Sequence, residues 1–133
     1  MRDNTNYADV LAGVDGAIAA YAQALDDGRA DDVVATFCAD GSCDIPGLGA
    51  HAGRDALRAA FEKVTPRLPQ RHVVVNTHVT EWDAHNARAT SDLIFLVKGD
   101  AGWGIQLVGR YQDTLRNDDG TWRFARRVLE FTP

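Results

Sequence analysis

"RHVVVNTHVTEW", residues 71–82, is where the apolar residues of this 133-residue chain stop recurring at helical spacing. The run is rich in β-branched and aromatic side chains, which fit a pleated, half-buried surface. Three stretches of the same kind follow: "NARATSDLIFLVKG" (86–99), "WGIQLVGRYQDTLRN" (103–117) and "TWRFARRVLEF" (121–131). Their separators "DAHN", "GDAG" and "NDDG" combine polar residues and glycine that accept positive φ, so each reads as a hairpin turn. Successive strands joined by short turns predict a four-strand antiparallel meander. A further short strand is expected at "GSCDIPG", residues 41–47.

Upstream of this point the period is helical. Val14, Ile18, Tyr21 and Leu25 fall at i, i+4, i+7 and i+11, the stripe of a helix over residues 7–27, with Gly28 as its stop. "ADDVVATF" predicts a short second helix ending near Cys38, with Val33, Val34 and Phe37 inward and acids at its start, where the dipole favours them. A third follows "AGRDALRAAFEKVTP": Leu57, Phe61 and Val64 share a face, and the chain breaks before Pro66. Helices first and strands afterwards give the α+β class. The expected architecture is a cone-shaped α+β barrel, three N-terminal helices packed on a curved, mainly antiparallel sheet that encloses a pocket.

Composition narrows the function. At 133 residues and 45% hydrophobic content, residues 1–133 fit a single domain with one site. A formal net charge of -5, with Lys and Arg scattered, argues against nucleic acid and anionic membranes as partners. No apolar run approaches the roughly 20 residues of a membrane helix, and "MRDNTNYADV" lacks the apolar core of a signal peptide. The expected location is the cytoplasm. Cys38 and Cys43 form neither a secreted framework nor a metal knuckle, and read as reduced, semi-buried side chains. Without a glycine-rich phosphate cradle, no nucleotide or other cofactor is expected.

Asp26 lies where the negative end of the first helix dipole raises its basicity and calls for a donor. His72 can supply one. A carboxylate accepting from Nδ1 would fix the tautomer, leave Nε2 as a base, and stabilise the imidazolium formed after proton abstraction. Asp27, beside Gly28, reads as a solvated helix end. Tyr21 is offset from Asp26 by about 140° around an ideal helix, so the two reach one cavity only from adjacent flanks. It reads equally as a core tyrosine and as a donor.

Strand alternation places Arg127 with Ala125 and Leu129, and Arg126 with Phe124 and Val128, so one of the two arginines faces inward. Asn76 and His78 share the strand parity of His72. Because His72 and His78 stand roughly 20 Å apart along a strand, no metal site is expected. His51 and His85 fall in loop-like, solvated sequence, and Asp92 reads as an outward charge or an interface group. The pocket wall is expected to combine Cys43, Leu57, Phe61, Leu93, Phe95, Leu107 and Tyr111, an apolar lining suited to a hydrophobic, ring-sized small molecule.

Across almost the whole chain, "YAQALDDGRADDVVATFCADGS", "HAGRDALRAAF", "RHVVVNTHV" and "GRYQDTLRNDDGTWRFARRV" resemble the nuclear transport factor two-like superfamily in its SnoaL-like branch. One fold hosts many chemistries, so the residues must decide. Around "YAQAL" and "DIPG" the chain is similar to steroid delta-isomerases, with Tyr21 matching their oxyanion-binding tyrosine. Their base position, immediately before the proline, is Ile45 here, and Asp44 points to the other face of a strand. The chain is more similar to the lyases that include scytalone dehydratase, bile acid dehydratase and hexachlorocyclohexane dehydrochlorinase. Asp26, His72 and Asn76 match the dehydrochlorinase's Asp, His and Asn, and Arg127 its pocket arginine. The Tyr21 to Asp26 spacing resembles that of bile acid dehydratase. Cys43 departs from the dehydrochlorinase, which carries a bulky aromatic there.

The resemblance implies a cofactor-independent lyase or isomerase, dehydratase-like, with His72 as base, Asp26 orienting it, and Tyr21 or Arg127 stabilising the developing anion or departing group. It also implies a homodimer packed sheet to sheet, which Trp103 and Trp122 suit. A non-catalytic small-molecule binder or accessory protein, and a polyketide cyclase-like protein, would use the same cavity and stay open.

Overall fold

Asn6 starts the first helix. Its side chain accepts from the Asp9 amide at 3.0 Å while the Asp9 carboxylate accepts from the Asn6 amide, a reciprocal cap that satisfies two otherwise orphaned donors. The computed structural model describes residues 4–133; residues 1–3, where the N-terminal reading begins, lie outside the described residues. Helix α1 (Tyr7–Asp26) buries Val10, Val14, Ile18 and Tyr21. It closes where Gly28, at φ 73°, turns the chain so that the Arg29 amide donates to Ala24 O at 2.8 Å.

Helix α2 (Ala30–Ala35) is shorter than its sequence suggests. The Thr36 hydroxyl donates back to Val33 O, and the Phe124 amide takes up Thr36 O, so Phe37 and Cys38 already belong to strand β1 (Phe37–Ile45). Strand β2 (Gly49–Ala52) returns antiparallel to it. His51 is therefore not in a solvated loop: it is a half-buried strand residue whose Nε2 meets Leu48 O at 2.7 Å. Helix α3 (Arg54–Glu62) buries Leu57 and Phe61 but stops before Val64, which lies outside it.

The long strands β3 (Gln70–Trp82), β4 (Asn86–Gly99), β5 (Gly102–Asp118) and β6 (Thr121–Phe131) form the expected antiparallel meander. Asp119 and Gly120, at φ 53° and 90°, make the β5–β6 turn, where both central residues must take positive φ. The sheet order is β2-β1-β6-β5-β4-β3, with β1 parallel to β6. The six strands curve around the helices, but β2 and β3 remain edges, so the sheet is open and not a closed barrel.

Two bulges set which side chains face inward. One falls between Val75 and His78, with Asn76 at φ 57°; the other falls opposite Thr114 and Leu115, where β6 carries Ala125 as its extra residue. The core is aromatic at its centre. Tyr21 meets Phe37, Phe61 and Phe124 edge-on at centroid distances of 6.2, 5.9 and 5.9 Å, pairs worth about 0.5–1.5 kcal/mol each beyond their buried area. Helix α1 reaches this sheet closely because of Gly13: a Cβ there would lie 2.1 Å from Trp122 Cδ1. Trp122 is consequently core, whereas Trp103 is half exposed.

Candidate active site

The last residue of α1 and the first residues of β3 meet at one point. Asp26 Oδ1 lies 2.6 Å from His72 Nδ1, Asp26 Oδ2 accepts from the His72 backbone amide at 2.8 Å, and Gln70 Nε2 donates to Oδ1 at 3.1 Å. The two side chains are only 5% and 11% exposed. Burial pushes the Asp26 carboxyl upward, but the hydrogen bonds from the His72 ring and backbone and from Gln70 outweigh it and hold the group below its ordinary value. The ionised carboxylate accepts the Nδ1 proton, which leaves Nε2 as the ring nitrogen able to take another. Phe95 packs on the imidazole at a centroid distance of 4.5 Å and fixes its plane.

His72 lines a cavity of about 310 Å³, within the range of small-molecule sites. Of the expected wall residues, Phe61, Leu93, Phe95, Leu107 and Tyr111 line it, together with Tyr21. Cys43 and Leu57 do not: both are buried in the core away from its surface. The remaining wall comes from Leu25, Val64, Gln70, Leu129 and Phe131, and from Ile45 at the end of β1 with residues 46–48 that lead to β2. Gln70 was legible in principle, because it stands two residues before His72 and therefore on the same strand face. The loop wall had no such periodic signal.

Asn76 is corrected. The β3 bulge breaks the parity it shares with His72 in sequence, so its side chain donates to Asp92 at 2.9 Å on the exposed face, where Arg110 also meets Asp92 at 2.8 Å. His78 is turned outward by the same bulge and is exposed. Asn76 instead borders a second hollow of about 620 Å³ between α1 and β3, which shares only His72 with the first. Asp27 is exposed and pairs with Arg29.

Arg127 is the inward arginine and Arg126 the exposed one. The bulge at Ala125 puts Arg127 on the same side as Phe124, contrary to simple alternation. Yet Arg127 does not line the cavity, so it is not positioned to touch a departing group. It lies fully buried behind the aromatic wall, with Nε 3.3 Å from Asp113 Oδ1. That contact lacks hydrogen-bond alignment, and both Asp113 oxygens are without a hydrogen-bond partner among the described residues. Burial therefore prevails over the attraction of Arg127 and pushes the Asp113 carboxyl up to about 6. Asp113 and its pairing with Arg127 are a feature that alternation alone could not reveal.

Comparison with known proteins supports this architecture. Residues 9–128 match the SnoaL-like domain. No curated protein matches the sequence. Among solved structures, a Mycobacterium tuberculosis protein of unknown function, determined as an Asp-to-Asn variant, superposes with a TM-score of 0.86 at 26% identity, covering 96% of this chain and 78% of that one. A candidate scytalone dehydratase from Novosphingobium aromaticivorans gives 0.81 at 24% identity, with coverages of 93% and 85%. A Catenulispora acidiphila protein in complex with S-DNPA gives 0.83 at 24% identity, with coverages of 93% and 94%. With helices, curved open sheet and matched span in agreement, the chain belongs to the SnoaL-like domain family and has its nuclear transport factor two-like fold.

Proposed function

We propose that the protein is a cofactor-independent lyase or isomerase, dehydratase-like, acting on a hydrophobic ring-containing small molecule. The observation that carries this reading is the Asp26–His72 contact of 2.6 Å at the wall of an apolar cavity. His72 Nε2 takes a proton from a ring carbon, and the electron pair left behind forms a carbon–carbon double bond. In a dehydration the adjacent carbon–oxygen bond breaks and hydroxide leaves, collecting the proton from the imidazolium as water. In an isomerisation the same proton returns at another carbon. Asp26 contributes by holding the tautomer and by compensating the positive charge on the ring.

A panel of cyclic hydroxy-ketones, incubated in deuterated water and read by mass spectrometry, tests this. The expected signal is loss of water or uptake of deuterium, reduced about 10²–10⁴-fold in His72→Ala and strongly in Asp26→Asn, with the far-ultraviolet spectrum unchanged. Turnover retained in His72→Ala would end the proposal. Binding without any product, insensitive to Asp26→Asn, would instead favour the non-catalytic binder.

The same reading includes a homodimer. Val73, Val75, Ile105 and Val108 are exposed apolar residues on the long strands, as is Trp103, and a second sheet packed against them would cover them. Light scattering at micromolar concentration should report twice the chain mass; a monomer there removes this part of the proposal.

A further inference from the structure

Asp26 Oδ1 is shared. The His72 ring reaches it at 2.6 Å and the Gln70 side-chain amide at 3.1 Å, because residues 70 and 72 stand on one face of β3. Of the three groups, Gln70 and His72 line the cavity and Asp26 does not. The function proposed above uses His72 and leaves Gln70 as a mere support for Asp26.

The Gln70 amide is not free to turn. Asp26 is held ionised by its donors, and an ionised carboxylate only accepts, so Nε2 must be the branch of the amide that faces it. The other branch, Oε1, takes no hydrogen bond from any of the described residues. Gln70 is half-buried, and water serves this oxygen when the cavity holds no ligand. A ligand that displaces this water must bring a donor of its own or leave an amide oxygen unpaired, which weakens binding. The wall also narrows the kind of donor. Among the described residues no carboxylate lines the cavity, and apart from Tyr21, Gln70, His72 and Tyr111 the lining is apolar. An ammonium group would lose its hydration there with no counter-charge on the wall; a hydroxyl fits.

We infer that Gln70 Oε1 is a ligand-binding acceptor of this cavity, fixed in place by Asp26, and that the ligand is a ring compound carrying a hydroxyl group that donates to it. Gln70 is thereby a specificity-determining residue as well as a support. That the hydroxyl so held is the one that departs rests on the function proposed above. In that step His72 Nε2 takes the carbon-bound proton, the electron pair becomes the new carbon–carbon bond, and the carbon–oxygen bond breaks with its pair going to oxygen. Because Gln70 holds the hydroxyl by its hydrogen, the lone pairs of the oxygen stay free to collect the proton from the imidazolium. Water forms, with one hydrogen still on Oε1.

1-Tetralol, its methyl ether and 1-tetralone are the probes, with binding read by titration calorimetry. The three share a ring system, only the alcohol has a hydroxyl to donate, and the alcohol has no acidified carbon–hydrogen bond, so its binding does not depend on base catalysis. The wild-type protein is expected to bind the alcohol about two- to tenfold more tightly than the ether, the scale of one neutral hydrogen bond. Gln70→Met, unbranched and of similar length at a half-buried strand end, should close that gap while leaving the ether and ketone unchanged; Gln70→Leu should do the same. His72→Ala should keep the preference for the alcohol even where turnover is gone, so failure of the base-catalysis reading and failure of this one are separately visible. A wild-type protein that does not bind the alcohol, or binds it no better than the ether, would overturn the inference. So would a preference that survives Gln70→Met, which would belong to the tyrosine hydroxyls, or an equal loss for all three probes, which would leave Gln70 acting only through Asp26.

Discussion

Asp26 and Asp113 are both carboxylates withdrawn from water, with side-chain exposures of 5% and 0%, and each has a nitrogen partner; burial pushes both upward, yet their carboxyls end on opposite sides of the ordinary value. Asp26 takes aligned hydrogen bonds from a ring nitrogen, a backbone amide and a side-chain amide, and is held below its ordinary value. Asp113 has a full guanidinium charge within 3.3 Å but no aligned donor, and is raised to about 6. Alignment of donors, more than proximity of charge, decides how a buried carboxylate ionises, because each hydrogen bond replaces a specific lost water contact. The first carboxylate holds His72, which lines the cavity; the second is buried against Arg127, and neither Asp113 nor Arg127 lines it.

Removing Arg127 should break this contrast most severely. Arg127→Met leaves Asp113 with no compensating charge and is expected to cost about 3–5 kcal/mol, measured as a lower urea midpoint at unchanged m-value. Replacing both, as Arg127→Met with Asp113→Leu, should recover most of that loss. A single-variant loss within experimental error of zero would mean that the pair holds no charge worth compensating.

The pH dependence separates the two acids by sign. For Asp113 the folded value lies above the ordinary 3.8, so the folded state holds the extra proton and stability falls as pH rises from about 4 to about 6. For Asp26 the folded value is depressed, so its contribution is present above the ordinary range and is lost as pH falls through the folded value. Urea titrations across pH 3–7 should therefore show a falling component that disappears in Asp113→Asn. Its persistence in that variant would assign the component elsewhere.

Smaller effects probe the aligned site. Asp26→Ala orphans the donors of His72 and Gln70 and should cost about 1–3 kcal/mol, since water entering the cavity replaces part of what is lost. Gln70→Leu removes a single donor and should cost about 0.5–1.5 kcal/mol while raising the Asp26 carboxyl. The latter is visible as a shift of the Asp26 carboxyl resonance towards higher pH. An unmoved resonance would show that His72 alone sets the ionisation of Asp26.

Much of this arrangement was legible in the chain. The helical stripe of Val14, Ile18 and Tyr21, the β-branched runs after residue 70 and the turn at Asp119–Gly120 follow from local periodicity and backbone preference, and the structure places them accordingly. The positions of Asn76 and Arg127 were not. Each lies beside a bulge, and one unpaired residue reverses the inward and outward sense of everything beyond it. Phe37 went from the expected second helix to β1 for a related reason: pairing with Phe124 is a long-range bond that no local spacing records.

The sequence by itself determined the α+β class, the succession of elements and the presence of an acid and an imidazole at two element ends, because local propensity and hydrophobic period act over a few neighbouring residues. Only the tertiary structure decided that the sheet stays open, that Gln70 joins Asp26 and His72, and that Arg127 lies behind Tyr21 and Tyr111. Those outcomes depend on strand register and on the packing of residues far apart in the chain, which become fixed together when the sheet curves around its helices.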